Sequence, residues 1–436
     1  MKINRLLTII TLGSLISSSL LAQQPMPLTL EKMFMLAEEN SKTIKVSQLA
    51  VREATEGINV AKNDRLPSIE ASLSLSYIGD GWMSDRNFKN GTKAPMPHFG
   101  NNFAFKATQA VYTGGAIHAG IEMSHLQKQM AQAELEQNRQ NIRFMLVAHY
   151  LDLFLLNNQK QIYQKNIAQT KLLIEEIKSA FREGTALASD VTRYELQLKD
   201  LELGYTQLTN RMAIANREMV TTLGLDNETL LIPDSSLLTL NVDRQNEQHW
   251  QSAKLEAPAM QLAQLGTQMS RKKQELIRAG RRPTIGLMAT NNFDGPILIE
   301  VPPIDKNFNY WFVGVNVSYK FDSLFKKNKQ LRQARTATFK AQEQQRLTDE
   351  QLSNDIYSAY IYLEEAYTRL DTKKKNVQLA HENYEVVHSR YLNGLSLITD
   401  MLDASNIQLA SELELANAQI GILYQYFLLR KTTGTL

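Results

Sequence analysis

Phe181-Arg182-Glu183-Gly184-Thr185-Ala186-Leu187-Ala188-Ser189-Asp190-Val191 and Tyr391-Leu392-Asn393-Gly394-Leu395-Ser396-Leu397-Ile398-Thr399-Asp400-Met401 are two copies of one turn. In each, a glycine suited to stopping a helix is followed six residues on by an aspartate placed to open the next. Gly184 and Gly394, Asp190 and Asp400, and Gly224 and Gly434 all stand 210 positions apart. One helical hairpin has been used twice, so the chain is an internal duplication with units of roughly 200 residues.

Helix-like sequence enters and leaves both turns. From Ala116 to Arg182 there is no proline and no glycine except Gly120. As one helix this stretch is about 100 Å long at about 1.5 Å per residue. The spacing predicts helices over 115–182 and 188–224 in the first copy and over 324–392 and 396–431 in the second. Upstream of each pair the period changes. A helix-like run over 28–66 ends at Pro67, and Ser68-Ile69-Glu70-Ala71-Ser72-Leu73-Ser74-Leu75-Ser76-Tyr77 then alternates polar and apolar without a fault. Strands are expected over 68–78 and 102–113, with a Gly-, Asn- and Pro-rich loop between them. The second copy repeats this order: a helix over 248–281, Pro283, and strands over 284–293 and 309–321. Residues 23–224 and 248–436 are thus two structural repeats, joined by a linker over 225–247 that holds Pro233 and an apolar patch, Leu237–Val242.

Composition narrows the class. In 436 residues the net charge is +3, from 48 basic and 45 acidic side chains, and no basic cluster suggests nucleic acid. There is no cysteine, so disulfides, thiolate metal sites and a lipid anchor on cysteine are excluded. Met1-Lys2-Ile3-Asn4-Arg5 followed by the apolar run Leu6 to Leu21 reads as a secretory signal peptide over 1–22, cut after Ala22. A membrane anchor is the alternative, but the run is short and serine-rich for a span of about 20 residues.

Each repeat therefore supplies two strands of about 10 residues, the length that crosses a bilayer when tilted. Ile69, Leu73, Leu75, Trp311, Val313, Val315 and Val317 would face lipid, with Ser72, Ser74, Ser76, Asn316 and Ser318 toward water. Tyr77, Tyr112, Tyr310, Trp311 and Tyr319 at strand ends suit an interfacial aromatic belt. A soluble sheet packed on one side would show the same alternation. Spanning strands must close into a barrel, and four are too few, since membrane barrels start at about eight. Several copies must then share one barrel.

The helix–strand–strand–helix–helix duplication, the proline before each first strand and the paired Gly-x5-Asp turns resemble the TolC family of outer-membrane efflux channels over nearly the whole chain. Asp400-Met401-Leu402-Asp403-Ala404, continuing to Glu414-Leu415-Ala416-Asn417-Ala418, is close to that family's final hairpin. The resemblance implies a mainly α protein with a β-barrel part. It implies a homotrimer with a shared twelve-stranded barrel in the outer membrane of a Gram-negative bacterium, above a tunnel of twelve helices across the periplasm. It also implies passive conduction in a tripartite efflux or type I secretion system, fed by an inner-membrane transporter through a periplasmic adaptor. The alternatives are a periplasmic adaptor or a coiled-coil structural protein.

Function then centres on the two turns. Asp400 and Asp403 share a helix face, and in a trimer they form two rings of three carboxylates that select cations. An aspartate in a first turn also simply favours the helix dipole. By residue-by-residue resemblance Asp190 and Tyr391 take two of the family's gate positions, and Ser396 stands where a basic residue is usual. The adaptor is expected to dock around the tips, at Arg182, Gly184, Ala186, Leu187, Gly394, Leu395 and Leu397. No phosphate loop, nucleophile elbow or HExxH occurs, so no enzyme and no cofactor is expected. His118, Glu122 and His125 share a helical face, which reads as a solvated surface more readily than as a metal site. Arg278, Arg281, Arg282, Lys326, Lys327 and Lys329 form a basic collar beside the strands, suited to outer-membrane lipid head groups or to water.

Overall fold

A computed structural model describes residues 25–234, 245–300 and 302–436. Residues 1–22, expected as a signal peptide, and the patch Leu237–Val242 lie outside them. In chain order the elements are β1 (Pro25–Leu28), α1 (Leu30–Asn40), α2 (Lys42–Asn63), β2 (Ser68–Tyr77), β3 (Gly81–Met83), β4 (Thr92–Ala94), β5 (Phe99–Tyr112), α3 (Ala116–Arg182) and α4 (Ala188–Leu223). They continue with β6 (Leu230–Pro233), α5 (Glu247–Ala253), α6 (Pro258–Ala279), β7 (Thr284–Gly295), β8 (Phe308–Ser318), α7 (Ser323–Leu392) and α8 (Ile398–Thr433). Contacts divide the chain into two compact units that cut across the repeats: Met1–Ser41 with Leu146–Asn241 and Asp371–Ile420, and Lys42–Met145 with Val242–Leu370 and Gly421–Leu436. Among the described residues no helix is long and apolar enough to cross a membrane.

The second unit holds one antiparallel four-stranded sheet, ordered β2-β5-β7-β8. Its register carries the alternation of each strand into a single pattern. Leu73 pairs with Phe103 and Phe103 with Phe293; Ile69 pairs with Ala107, Ala107 with Ala289 and Ala289 with Val313. Leu287 pairs with Val315 and Ile285 with Val317, so one face is mainly apolar, interrupted by Asn101, Gln109, Asn291 and Asn309. The opposite face carries Glu70, Ser72, Ser74, Lys106, Thr290 and Asn292, and Asn102 there donates a hydrogen bond to Asp294. Every residue of β2 is exposed, and the apolar face is bare: Leu73 is 67 % exposed and Val313 70 %. A sheet packed on one side would bury those residues. The register also moves Tyr310 out of the expected lipid-facing belt, since it pairs with Asn292 on the polar face while Trp311 pairs with Asn291 on the other.

The helical part of this unit packs Trp250, Met260, Leu352, Ile356, Leu363 and Leu429 into one core. Residues 248–281, expected as one helix, are α5, a 3-10 turn over Lys254–Glu256 and α6, because Pro258 can only open a helix. Arg282 of the basic collar is structural: its guanidinium donates to the carbonyl of Gly114 at 3.0 Å, tying the turn before α3 to the turn after α6.

The first unit contains a pairing that no local pattern announces. β1 and β6 form a two-stranded parallel sheet, Met26 opposite Leu231. Tyr150 of α3, 1 % exposed, pins it: its hydroxyl donates to the Leu28 carbonyl at 2.7 Å and accepts from the Asp234 amide at 2.6 Å. Residues 28–66, expected as one helix, break at Ser41, whose backbone turns extended to cap α1.

Candidate functional site at the twin turns

Both turns are built alike. After α3, Gly184 takes φ +78°, its amide donates to the Phe181 carbonyl at 3.0 Å, and the Thr185 amide reaches the Ala180 carbonyl at 2.9 Å. After α7, Gly394 takes φ +69°, with Gly394 to Tyr391 at 2.9 Å and Leu395 to Arg390 at 2.8 Å. These are glycine C-caps that satisfy otherwise orphaned helix-end carbonyls. No neighbour lies within 4 Å of a Cβ added at either glycine, so the backbone angle alone requires them.

The aspartates open the returning helices. The Leu187 amide donates to Asp190 Oδ2 at 3.1 Å, and the Leu397 amide to Asp400 Oδ2 at 3.0 Å. Each carboxylate thus occupies a helix N-terminus, where backbone amides and the helix dipole favour negative charge. Ser396 adds a contact the first copy lacks: its hydroxyl donates to Asp400 Oδ2 at 3.0 Å, whereas the equivalent position is Ala186. Asp403 is exposed one turn further along α8.

Below the turns the two hairpins share a core of Leu173, Ile174, Ile177, Tyr194, Ile398 and Met401, with Ala186, Tyr384 and Tyr391 packed against it. Tyr194 is 1 % exposed and its hydroxyl has no partner among the described residues. Burial pushes its phenol well above the ordinary range. Burial and then the Asp190 charge push Tyr391 up as well, and no hydrogen bond joins the two among the described residues. A groove of about 730 Å³ lies between the turns, bordered by Ile177, Asp190, Arg193, Tyr391 and Leu397. Leu187, Leu395 and Leu397 stand out into solvent, each about two-thirds exposed, while Ala186 turns inward. Arg182 is exposed, its Nε donating to the Lys178 carbonyl at 3.3 Å.

Sequence spacing finds the turns but not what ties the hairpins together. α8 is held to α4 by Gln197 donating to Asn406 at 2.8 Å. It is held to α3 by Lys165 at 3.3 Å from Glu412 and by Gln159 donating to Asn417 at 3.1 Å. These partners are more than 200 positions apart, so no spacing rule joins them. His118 and His125 are solvent-exposed on α3, and among the described residues no group of three or more His, Asp or Glu side chains could hold a metal.

Twin hairpins with this capping, joined to an amphipathic sheet open at both edges, define a class of duplicated channel subunits. The family model described as outer membrane efflux protein matches residues 34–225 and again 250–435, and the chain belongs to that family. It is 19 % identical over 409 residues to outer membrane efflux protein BepC of Brucella suis biovar 1 (strain 1330), covering 94 % of this chain and 86 % of that one. It is similar to the outer membrane protein VceC of Vibrio cholerae (TM-score 0.75, 14 % identity, 93 % of this chain and 96 % of that one). It is also similar to the open state of the Neisseria gonorrhoeae MtrE outer membrane channel (TM-score 0.72, 15 % identity, 93 % and 88 %). The protein is an outer-membrane efflux channel that extends into the periplasm.

Proposed function

We propose that three copies close one twelve-stranded barrel, β8 of each pairing with β2 of the next, and that the helices of all three continue it as a periplasmic tunnel. The observation that carries this is the sheet itself, with Ile69, Leu73, Val313 and Val315 of its apolar face exposed and its first and last strands each paired on one side only. In lipid every unpaired amide or carbonyl costs several kcal/mol, so an open sheet cannot stay there. The tunnel conducts passively. Cargo enters from an inner-membrane transporter through a periplasmic adaptor that docks on the tips around Arg182, Gly184, Ala186, Leu187, Gly394, Leu395 and Leu397.

Asp400 and Asp403 form the inner aperture, with Asp190, Tyr391 and Ser396 as its gate. Ser396 acts through Asp400: by holding that carboxylate on its own helix end, it takes the place of a charged contact to a neighbour. The test is electrophoresis of the membrane fraction without heating. A three-chain species that boiling reduces to one chain is expected. Monomer in both lanes removes the shared barrel and, with it, the aperture rings.

A further inference from the structure

The polar face of the sheet is not polar throughout. Phe308, Tyr310 and Phe312 alternate along β8 and share that face, opposite Asp294, Asn292 and Thr290 of β7. They are 53 %, 37 % and 44 % exposed, so each is partly covered within the chain and each leaves part of its side chain open to solvent. The Phe308 and Tyr310 rings stack, with centroids 5.4 Å apart and planes 25° off parallel. A lipid-facing role is closed to them, because Trp311, Val313 and the rest of the apolar set point the other way. Three rings in line make a contiguous apolar patch on a water-facing wall, and such a patch marks a contact site.

We infer that Phe308, Tyr310 and Phe312 are a contact stripe for planar aromatic solutes in transit. This rests on the closed barrel proposed above, in which this face lines the water. Three copies set three such stripes around the bore. The stripe descends from the loop end of β8, so it meets cargo on the outer stretch of its path. Ring faces attract flat π-systems and cations, and the Asp294 carboxylate across from Phe308 adds a preference for positive charge. A saturated cation gains the charge but not the stacking.

Current blockade of the full-length trimer in planar bilayers tests this, with ethidium and tetrapropylammonium added separately to the loop side. Both carry one positive charge and can meet a ring face as cations, so the difference between them reports planar stacking. Ethidium is expected to block at the lower concentration. A variant carrying Phe308→Leu, Tyr310→Leu and Phe312→Leu keeps bulk and apolarity but removes the ring faces. It should weaken ethidium block by about tenfold, the sum of a few ring contacts, and weaken tetrapropylammonium block by less, since that ion loses only cation–π attraction; equal weakening of the two overturns the preference for flat solutes. Trp311→Leu, on the opposite face, should alter neither. Equal ethidium block in parent and leucine variant overturns the inference and leaves the channel intact. Loss of the heat-sensitive trimer in that variant assigns the rings to the seam between copies and also overturns it. Absence of any conducting species overturns the barrel and the stripe together.

Discussion

Asp190 and Asp400 each commit one carboxylate oxygen to a backbone amide of their own turn, at 3.1 and 3.0 Å. Asp190→Ala removes that acceptor at a cost of about 1 kcal/mol to the helix start. It should raise single-channel conductance or drug leakage; unchanged conductance removes Asp190 from the gate. Asp190→Asn keeps an acceptor and loses the charge, so a rise in both variants traces the effect to charge and a rise in alanine alone to capping. Tyr194 offers a contrary case, a buried hydroxyl with no partner among the described residues. Tyr194→Phe should stabilise the hairpins by about 1 kcal/mol, measured by thermal unfolding. Burial raises the phenols of Tyr150, Tyr194, Tyr384 and Tyr391 in the folded chain. The unfolded chain then loses these protons first, near pH 10, so stability is full below about pH 10 and falls as pH rises beyond it. Tyr194→Phe should make that alkaline loss shallower; a profile identical to the parent's counts against burial as its cause.

At the scale of elements, the two faces of the sheet make opposite predictions. Val313→Arg on the apolar face should cost about 2–4 kcal/mol if it falls near the bilayer midplane. The loss of trimer recovered from the outer membrane would show it. Ser72→Arg on the opposite face should leave recovery near that of the parent. If both are tolerated alike, the apolar face does not meet lipid. The strands were legible because β2 alternates without interruption, and the long helices because Ala116–Arg182 and Ser323–Leu392 lack breakers that matter. What stayed hidden was short or distant. β1 and β6 are four residues each, too few for a period to register, and their pairing skips over the whole first hairpin. β3 and β4 are three residues each inside a loop whose composition signals only turns. The break at Ser41 has neither proline nor glycine beside it, so no breaker residue announces it. At the candidate site the glycines and aspartates showed in their repeat. The Ser396–Asp400 contact did not, because the position in the first copy is an alanine with no such bond to compare.

For the whole molecule, charge at the proposed aperture is the property most open to measurement. Asp400→Asn with Asp403→Asn removes six carboxylates from the mouth of the proposed trimer while keeping at position 400 an acceptor for Leu397 and Ser396. The reversal potential under a potassium chloride gradient should move toward zero, the mark of reduced cation preference. A potential that stays put places the selective step elsewhere. Assembly has its own constraint in the small parallel sheet that Tyr150 pins. Its partner residues, Pro25 with Leu230 through Leu28 with Pro233, come from opposite ends of the first half of the chain. Contacts between such distant positions pay loop-closure entropy before they return any stability, so they form late. The residues from Pro25 to Leu28 therefore wait, unpaired, until both arms of the first hairpin have emerged. That interval is when a chaperone holding the N-terminus would matter most.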